Sequence, residues 1–384
     1  MKRILISLLC TILLITAIPI KAFGDEPDIQ APSAILMEAS TGKIIYEKNA
    51  DEVLAPASIT KIMTLLLIFD ALEENTIALT DEVTVSEHAA SMGGSQVFLE
   101  PGEVQSVETM IKCIAIASAN DACVAMAEHI CSSEEIFVSR MNERAAGLNM
   151  TNTHFVNSCG LDTDGHVTTA RDVALMSREL ITRHPEIHDY STIWMDSFTH
   201  VTRKGESEFT LSNTNKLLKQ YEWATGLKTG STSVAKFCLS ATAKKNDIEL
   251  ISVVMASPNG KTRVSDSISL LNYGYGICHL YKDDNMPLLT PLTVKNSTKG
   301  IVNCKYASSF NNLFLENYDE SLITKELEFI SSPSAPISEG DVMGQLIYKY
   351  NNEIIGTVDI LAAEDIEKSV FKDYLYMLWK ELAG

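Results

Sequence analysis

The sequence is poor in basic side chains. Its 384 residues carry 31 lysines and arginines against 50 aspartates and glutamates, which gives a formal net charge of −19. A protein that binds nucleic acid needs a concentrated basic surface, so this composition argues against a nucleic-acid partner. It also requires that an anionic group of a substrate be met by a local cation, because the overall field repels anions.

Cysteines are few and do not form a recognisable pattern. Cys10 lies in the apolar N-terminal segment, and the other seven are odd in number and widely scattered, with no C-x-x-C pair. Such spacing is not that of a disulfide framework. Most of the seven sit in apolar runs, which is typical of buried thiols. The spacing leaves open whether one pair forms a disulfide.

Signatures of several enzyme classes are missing. The sequence has no G-x-S-x-G turn and no phosphate-binding P-loop. His184 and His188 flank a glutamate, but a zincin motif needs Glu directly after the first His, where this chain has Pro185. We therefore interpret this segment as a surface helix end and predict neither a metal nor another cofactor.

Only the N-terminus has a long apolar run. Two basic residues precede it, residues 4–20 are mostly apolar, and residues 22–24 read Ala-Phe-Gly, a small-x-small cleavage site. This pattern predicts a signal peptide over residues 1–24 and export of the remainder. An uncleaved membrane anchor is the alternative. Pro19 and Lys21 interrupt the run and favour cleavage.

Ser58 and Lys61 stand at the start of a segment that is apolar on every side, which predicts a buried helix. Residues three apart are neighbours on a helix, so the hydroxyl and the amine lie together. A serine needs an adjacent base to become a nucleophile. A lysine serves as that base when burial lowers its pKa. The positive end of the helix dipole acts in the same direction.

The S-x-x-K spacing alone is a weak signal, because the chain contains it four times. Ser40 and Lys43 lie in a predicted turn, a second pair in a strand-like run and a third in the amphipathic C-terminal tail. Only the pair at Ser58 opens a buried helix. Its significance comes from two further motifs.

The second motif is Ser118-Ala119-Asn120, at a joint between two helical stretches, and the third is Lys228-Thr229-Gly230, which follows a strand-like stretch. The order S-x-x-K, S-x-N, K-T-G is a far stronger signal than any one member. It is the motif set of penicillin-binding proteins and class A β-lactamases.

The chain resembles a low-molecular-mass penicillin-binding protein of the serine-type D-alanyl-D-alanine carboxypeptidase family. The resemblance covers nearly the whole chain and includes the segments 157–161 (Asn-Ser-Cys-Gly-Leu) and 213–218 (Asn-Thr-Asn-Lys-Leu-Leu). One departure is Ala119, where the family often has glycine. The resemblance implies peptidoglycan pentapeptide stems as substrates and β-lactam antibiotics as acylating inhibitors.

The resemblance also implies a catalytic role for each motif residue. Ser58 attacks the carbonyl between two D-alanines, and Lys61 takes its proton. Ser118 and Lys228 relay a proton to the departing D-alanine. Asn120 donates its side-chain amide to the substrate backbone.

Further residues are implied in substrate binding. The backbone N–H groups of Ser58 and Ser231 form the oxyanion hole. The strand edge at Gly230 pairs with an extended peptide, and its missing side chain leaves room for close approach. Thr229 and Arg263 are the candidates for binding the terminal carboxylate.

We predict an α+β fold with a transpeptidase-like catalytic domain over residues 25–283, in which an antiparallel sheet is flanked by helices. Short alternating strands predict a small all-β domain over 284–365. Residues 366–384 are predicted to form an amphipathic helix, whose aromatic face predicts attachment to the outer face of the cytoplasmic membrane.

Three other functions stay open. A D,D-endopeptidase acting on peptidoglycan cross-links uses the same residues. A class A-like β-lactamase needs a deacylating glutamate, and we find no E-x-x-L-N between the second and third motifs. A non-catalytic penicillin-binding wall sensor keeps the fold but loses a motif, and no motif is lost here.

Overall fold

The computed structural model describes residues 26–203 and 205–382. The predicted signal peptide, residues 1–24, therefore lies outside the described residues. The chain divides into two compact units. The first comprises the described residues up to Ala39, Ile44–Lys245 and Glu249–Gly276, and the second comprises Ser40–Lys43, Asn246–Ile248 and the chain from Ile277 onward.

The first unit has α+β structure, as predicted. Its strands are β1 (Ser33–Glu38), β2 (Ile44–Lys48), β3 (Glu82–Thr84), β4 (Val104–Ser106), β5 (Met195–Thr202), β6 (Gly205–Ser212), β7 (Ala224–Thr232), β8 (Lys236–Lys245) and β9 (Ile248–Ser257). Its helices are α1 (Lys61–Glu73), α2 (Glu87–Ala90), α3 (Val107–Ala115), α4 (Asn120–Cys131), α5 (Glu134–Gly147), α6 (Ala170–Arg183), α7 (Ile187–Ser191) and α8 (Gly260–Ile277).

A five-stranded sheet has the order β2-β1-β9-β8-β7, so the N-terminal hairpin joins the later strands. Every residue of β1 is buried. Gly274 of α8 packs directly on this sheet, since a Cβ there would lie 2.8 Å from Leu36 and 2.6 Å from Leu250. Strand β7 is last in the order, so one of its edges pairs with no other strand among the described residues.

Helix α1 is apolar around its circumference and forms the centre of the core, as its sequence predicts. It ends in a Schellman motif. Asn75 adopts φ = 56°, its N–H donates to Leu72 O, and the N–H of Thr76 donates to Ala71 O. The α-helix begins only at Lys61, because Ala57–Thr60 form a 3-10 turn.

The joint that the sequence predicts at Ser118-Ala119-Asn120 lies between two helices, α3 and α4. The side chain of Ser106 caps α3 by accepting from Thr109 N. The preceding segment, residues 81–107, contains β3, α2 and β4. These elements are only three or four residues long, too short for hydrophobic periodicity to indicate them.

The second unit is mainly β structure. Its strands are β10 (His279–Lys282), β11 (Leu292–Thr293), β12 (Ile301–Val302), β13 (Cys304–Tyr306), β14 (Asn311–Phe314), β15 (Ile323–Phe329), β16 (Val342–Tyr350) and β17 (Glu353–Ala362). The largest sheet has the order β13-β17-β16-β15. Helix α9 (Phe371–Leu382) follows, with Phe371 78% and Trp379 68% exposed. None of the described helices combines the length and apolarity needed to cross a membrane.

Candidate active site

Two glycines allow neighbouring segments to pack closely against the 3-10 turn that carries Ser58. Gly160 adopts φ = 87°, and a Cβ there would lie 1.9 Å from Ala57 O. A Cβ on Gly230 would lie 2.9 Å from the backbone nitrogens of Ser58 and Ile59. The close approach that Gly230 permits is therefore between strand β7 and the turn that carries Ser58.

Lys61 is fully buried at the first position of α1. Its Nζ lies 2.9 Å from Ser58 Oγ, 2.6 Å from Asn120 Oδ1 and 3.4 Å from Ser118 Oγ. Desolvation by burial lowers the pKa of Lys61 from its ordinary value. The structure thus places an amine with reduced proton affinity beside the predicted nucleophile.

Ser118 connects the two lysines of the site. It lies in the joint between α3 and α4 with φ = 61°, a conformation that L residues rarely adopt. Nζ of Lys228 donates to Ser118 Oγ at 2.8 Å and to Thr229 O at 3.2 Å. Desolvation, followed by the nearby charge of Lys61, holds the pKa of Lys228 well below its ordinary value.

The side chain of Asn120 binds on both sides. Its Oδ1 accepts from Lys61, its Nδ2 donates to Gly93 O at 2.7 Å, and its backbone N–H donates to Ser95 O at 2.7 Å. A side-chain amide has two N–H bonds, so one remains for a substrate after the bond to Gly93. The loop from Gly93 to Ser95 forms one wall beside this amide.

Sequence reasoning missed Asp121, which shapes that wall. Its buried carboxylate accepts from the backbone N–H groups of Val97, Leu99 and Ala122 at 3.0–3.2 Å. Burial raises the pKa of Asp121, while these hydrogen bonds oppose the rise. Its position directly after the S-x-N motif was the available signal, but a carboxylate at a helix start is also an ordinary capping feature.

Arg263, in the first turn of α8, lies against strands β7 and β8. Its Nη1 donates to Gly230 O at 3.0 Å and to Cys238 O at 3.2 Å. Burial lowers its pKa from the ordinary arginine value. These contacts hold the K-T-G strand in place, a role that the sequence prediction did not include. Thr229 is buried, and Ser231 is exposed on the same strand.

The loop that contains Asn157 is one of the segments in which the sequence resembles the family. It holds the turn that carries Ser58. Oδ1 of Asn157 accepts from Gly160 N at 2.7 Å and Leu161 N at 3.1 Å. His166 is buried, and its Nδ1 accepts from Val156 N at 2.9 Å. Its Nε2 therefore carries the proton and donates to Thr60 Oγ1 at 2.8 Å.

The sequence interpretation placed His184 at a surface helix end, and this expectation was wrong. His184 is buried at the C-terminal end of α6, and its Nε2 bonds to Asp70 Oδ1 at 2.8 Å. Asp70, Glu73 and His184 have ligand atoms close enough to share a metal ion. Arg144 and Arg183 already pair with the two carboxylates at 2.9 and 2.7 Å, so we assign no metal here.

The sequence left open whether one pair of cysteines forms a disulfide, and in the described part of the chain no such pair is present. Seven cysteines are described, none is joined to another of them by a disulfide, and all but Cys304 are buried: Cys113, Cys123, Cys131, Cys159, Cys238, Cys278 and Cys304. This agrees with the expectation for cysteines in apolar runs. Disulfides therefore do not stabilise the described structure.

Comparisons with known proteins match both units. Residues 21–259 match a family model described as D-alanyl-D-alanine carboxypeptidase, and residues 278–368 match the penicillin-binding protein 5 C-terminal domain. D-alanyl-D-alanine carboxypeptidase DacF of Bacillus subtilis is 40% identical, over 98% of this chain and 97% of the relative. DacC of Escherichia coli is 34% identical, over 91% and 89%.

Solved structures agree with these matches. Penicillin binding protein 5 from Haemophilus influenzae superposes with a TM-score of 0.74 at 29% identity, covering 89% of this chain and 99% of the other. The Streptomyces K15 DD-transpeptidase superposes with a TM-score of 0.61 at 29% identity, covering 66% of this chain and 99% of the other.

Proposed function

This chain belongs to the D-alanyl-D-alanine carboxypeptidase family, and from that premise we propose that it removes the terminal D-alanine from peptidoglycan stem peptides through an acyl-enzyme on Ser58. One observation carries the proposal. The serine hydroxyl, the two buried amines and the Ser118 hydroxyl form a continuous series of contacts of 2.9, 3.4 and 2.8 Å. Such a series moves a proton between a nucleophile and a leaving group.

Acylation uses the amine of Lys61 as its base. Oγ of Ser58 forms a bond to the carbonyl carbon of the penultimate D-alanine, and the hydroxyl proton passes to Nζ of Lys61. The lowered pKa of Lys61 supports this step, because only the neutral amine accepts a proton. The N–H groups of Ser58 and Ser231 stabilise the oxyanion, consistent with the close approach of Gly230 to Ser58 N.

The leaving group needs a proton on its nitrogen. When the C–N bond breaks, the Ser118 hydroxyl donates its proton to the departing D-alanine and receives one from the lysines that it contacts. Water then attacks the ester carbonyl, and Lys61 serves again as base. Ser58 is regenerated, and the shortened stem is released.

Substrate binding uses the free edge of β7 and the walls beside it. An extended peptide pairs with this edge. The remaining N–H of Asn120 donates to a peptide carbonyl, and the Thr229 hydroxyl donates to the terminal carboxylate. We assign Arg263 a supporting part: its charge favours the carboxylate, and its bond to Gly230 O holds the strand.

The test is D-alanine release from N,N-diacetyl-L-Lys-D-Ala-D-Ala. We expect release by the wild-type protein and none by Ser58→Ala. Intact-mass analysis after penicillin treatment should show one adduct on the peptide that contains Ser58. Ser40→Ala is the matched control, since this serine has the same S-x-x-K spacing in a surface turn. An adduct that survives Ser58→Ala would overturn the assignment.

Further measurements separate the alternatives. A cross-linked dimeric stem peptide detects endopeptidase activity, and an added amine acceptor detects transfer, the activity in the name of the K15 neighbour. Continuous turnover of penicillin would indicate a β-lactamase. D-alanine release together with a long-lived penicillin adduct supports the carboxypeptidase and excludes a sensor without catalysis.

The protein acts in the cell envelope, and we propose that α9 attaches it to the outer face of the cytoplasmic membrane. Phe371, Leu375 and Trp379 are 78%, 52% and 68% exposed. Exposed aromatic side chains on an amphipathic helix suit the lipid–water interface. The mature protein should float with liposomes, and truncation after Val370, which removes α9 and keeps the buried Ile366, should leave a soluble, active enzyme. Equal flotation of both forms would refute the anchor.

A further inference from the structure

Thr214 lies between two buried asparagines that fix its backbone. Nδ2 of Asn213 donates to Ile193 O at 2.7 Å, and Nδ2 of Asn215 donates to Gly226 O at 3.0 Å. The backbone N–H of Asn215 also donates to Asn213 Oδ1 at 2.9 Å. Since both neighbours are anchored, the backbone of Thr214 is held in one position.

The contacts of Thr214 connect two of the catalytic motifs. Its hydroxyl lies 2.7 Å from the Thr229 hydroxyl, in the K-T-G motif. Its backbone N–H donates to Ile116 O at 3.2 Å, two residues before Ser118 in the S-x-N motif. Thr229 is 5% exposed, so the hydroxyl that Thr214 contacts has few alternative partners in solvent.

The chemistry of the two adjacent hydroxyls indicates which of them donates in the hydrogen bond. A hydroxyl carries one proton and accepts through its lone pairs. If Thr229 donated to Thr214, it would have no proton left for a carboxylate. If Thr214 donates, the Thr229 proton is free, and the resulting series of bonds strengthens its donation to an anion.

We propose that Thr214 is a positioning residue that donates to the Thr229 hydroxyl and thereby directs the Thr229 proton to the terminal carboxylate of the substrate. This inference rests on the proposed function, in which Thr229 binds that carboxylate. Thr214 acts through Thr229 and does not touch the reacting atoms. It contributes to selection for peptides that end in a free carboxylate.

The test compares Thr214→Val, which removes the hydroxyl with little change of shape, with Thr214→Ser, which keeps it. The matched control is Thr225→Val, because the Thr225 hydroxyl pairs with Thr242 at 2.9 Å elsewhere on the same strand. The full-length protein is assayed in detergent with diacetyl-L-Lys-D-Ala-D-Ala as the free acid and as the C-terminal amide.

We expect Thr214→Val to lower kcat/KM for the acid about tenfold, mainly through KM, because the lost interaction concerns binding of the carboxylate. Cleavage of the amide should change less than about twofold, since the amide lacks the anion. The deacylation rate should also be unchanged, because the carboxylate has left with D-alanine. Thr214→Ser and Thr225→Val should behave as wild type toward the acid.

Other outcomes are distinguishable. Equal losses for acid and amide, or a loss that Thr214→Ser does not restore, would show a structural role and overturn the inference. Unchanged kinetics of Thr214→Val would overturn it as well. Failure of the wild-type protein to release D-alanine from either peptide would instead refute the proposed function. Melting temperatures of all variants establish that each is folded.

Discussion

The two ends of helix α1 carry clusters of charged side chains that are built on opposite principles. At the N-terminal end, Lys61 lies beside Ser58 and Asn120, and Lys228 contacts Ser118 and Thr229 O. These partners are hydroxyl, amide and carbonyl oxygens. At the C-terminal end, each cation meets an anion.

The C-terminal cluster is a set of ion pairs. Arg144 pairs with Asp70 at 2.9 Å and with Glu179 at 2.6 Å. Arg183 pairs with Glu73 at 2.7 Å. The negative end of the helix dipole also favours cations at this position, whereas the positive end disfavours the ammonium of Lys61. The dipole therefore stabilises the cations at the C-terminal end and opposes a cation at the N-terminal end.

The difference separates structural from reactive charge. A cation that is paired with carboxylates keeps its proton and holds elements together. A buried lysine with neutral partners loses proton affinity and becomes a base. Burial alone does not identify the reactive cluster, because His184 at the C-terminal end is also buried. The reactive cluster is identified by the partners of its cations, which are neutral and not anionic.

The largest effect is expected for Lys61→Met, which removes the base but keeps the length of the side chain. Acylation by penicillin should fall by about 10³-fold, within the range for loss of a general base. The free energy of unfolding should fall by no more than about 1 kcal/mol, because a buried amine without an anionic partner contributes little to stability. Stopped-flow acylation and urea unfolding measure the two quantities.

Lys43→Met is the control for this variant. Lys43 has the same S-x-x-K spacing but lies exposed in a turn. Its acylation rate should equal that of wild type. A loss of stability in Lys61→Met of several kcal/mol, with residual acylation, would mean that Lys61 is structural and that the comparison of the two ends is wrong.

A smaller effect is expected on pH dependence. The pKa of Lys61 is lowered in the folded state from 10.5, so between the two values the unfolded chain binds the extra proton. Stability should therefore rise with pH across this window, and it should rise less in Lys61→Met. The acylation rate should also rise with pH as the amine becomes neutral. Parallel stability curves for the two proteins would contradict the lowered pKa.

The sequence was sufficient to predict the cluster at the N-terminal end of α1. Three short motifs in the right order predicted which side chains meet, and the apolar segment after Ser58 predicted that Lys61 is buried. The two helices around Ser118 and the hairpin that joins the later strands were also predictable. Each depends on local periodicity or on a motif, and both are visible in the chain itself.

The ion pairs at the C-terminal end of α1 could not be predicted in the same way. Arg144 is 74 residues from Asp70 and 35 from Glu179, and ordinary surface helices also carry such residues. His184 was expected on the surface because Pro185 indicates a helix end, but a helix end is not always exposed. The hydrogen bond between the Thr214 and Thr229 hydroxyls similarly depends on how two anchored asparagines are placed.

The smallest effect on catalysis is expected for Arg144→Met at the paired end. The Arg144 side chain is 21% exposed, and its loss leaves the carboxylates of Asp70 and Glu179 without this cation. The cost lies between that of an exposed and that of a buried pair, so unfolding free energy should fall by about 2 kcal/mol. Acylation at 25 °C should stay within about twofold of wild type, since the cluster lies at the far end of α1 from Ser58. Arg140→Met, one turn earlier on the same helix and exposed, should change neither quantity. A large loss of acylation in Arg144→Met would show that the two ends are coupled through the helix, and the division into structural and reactive charge would then fail.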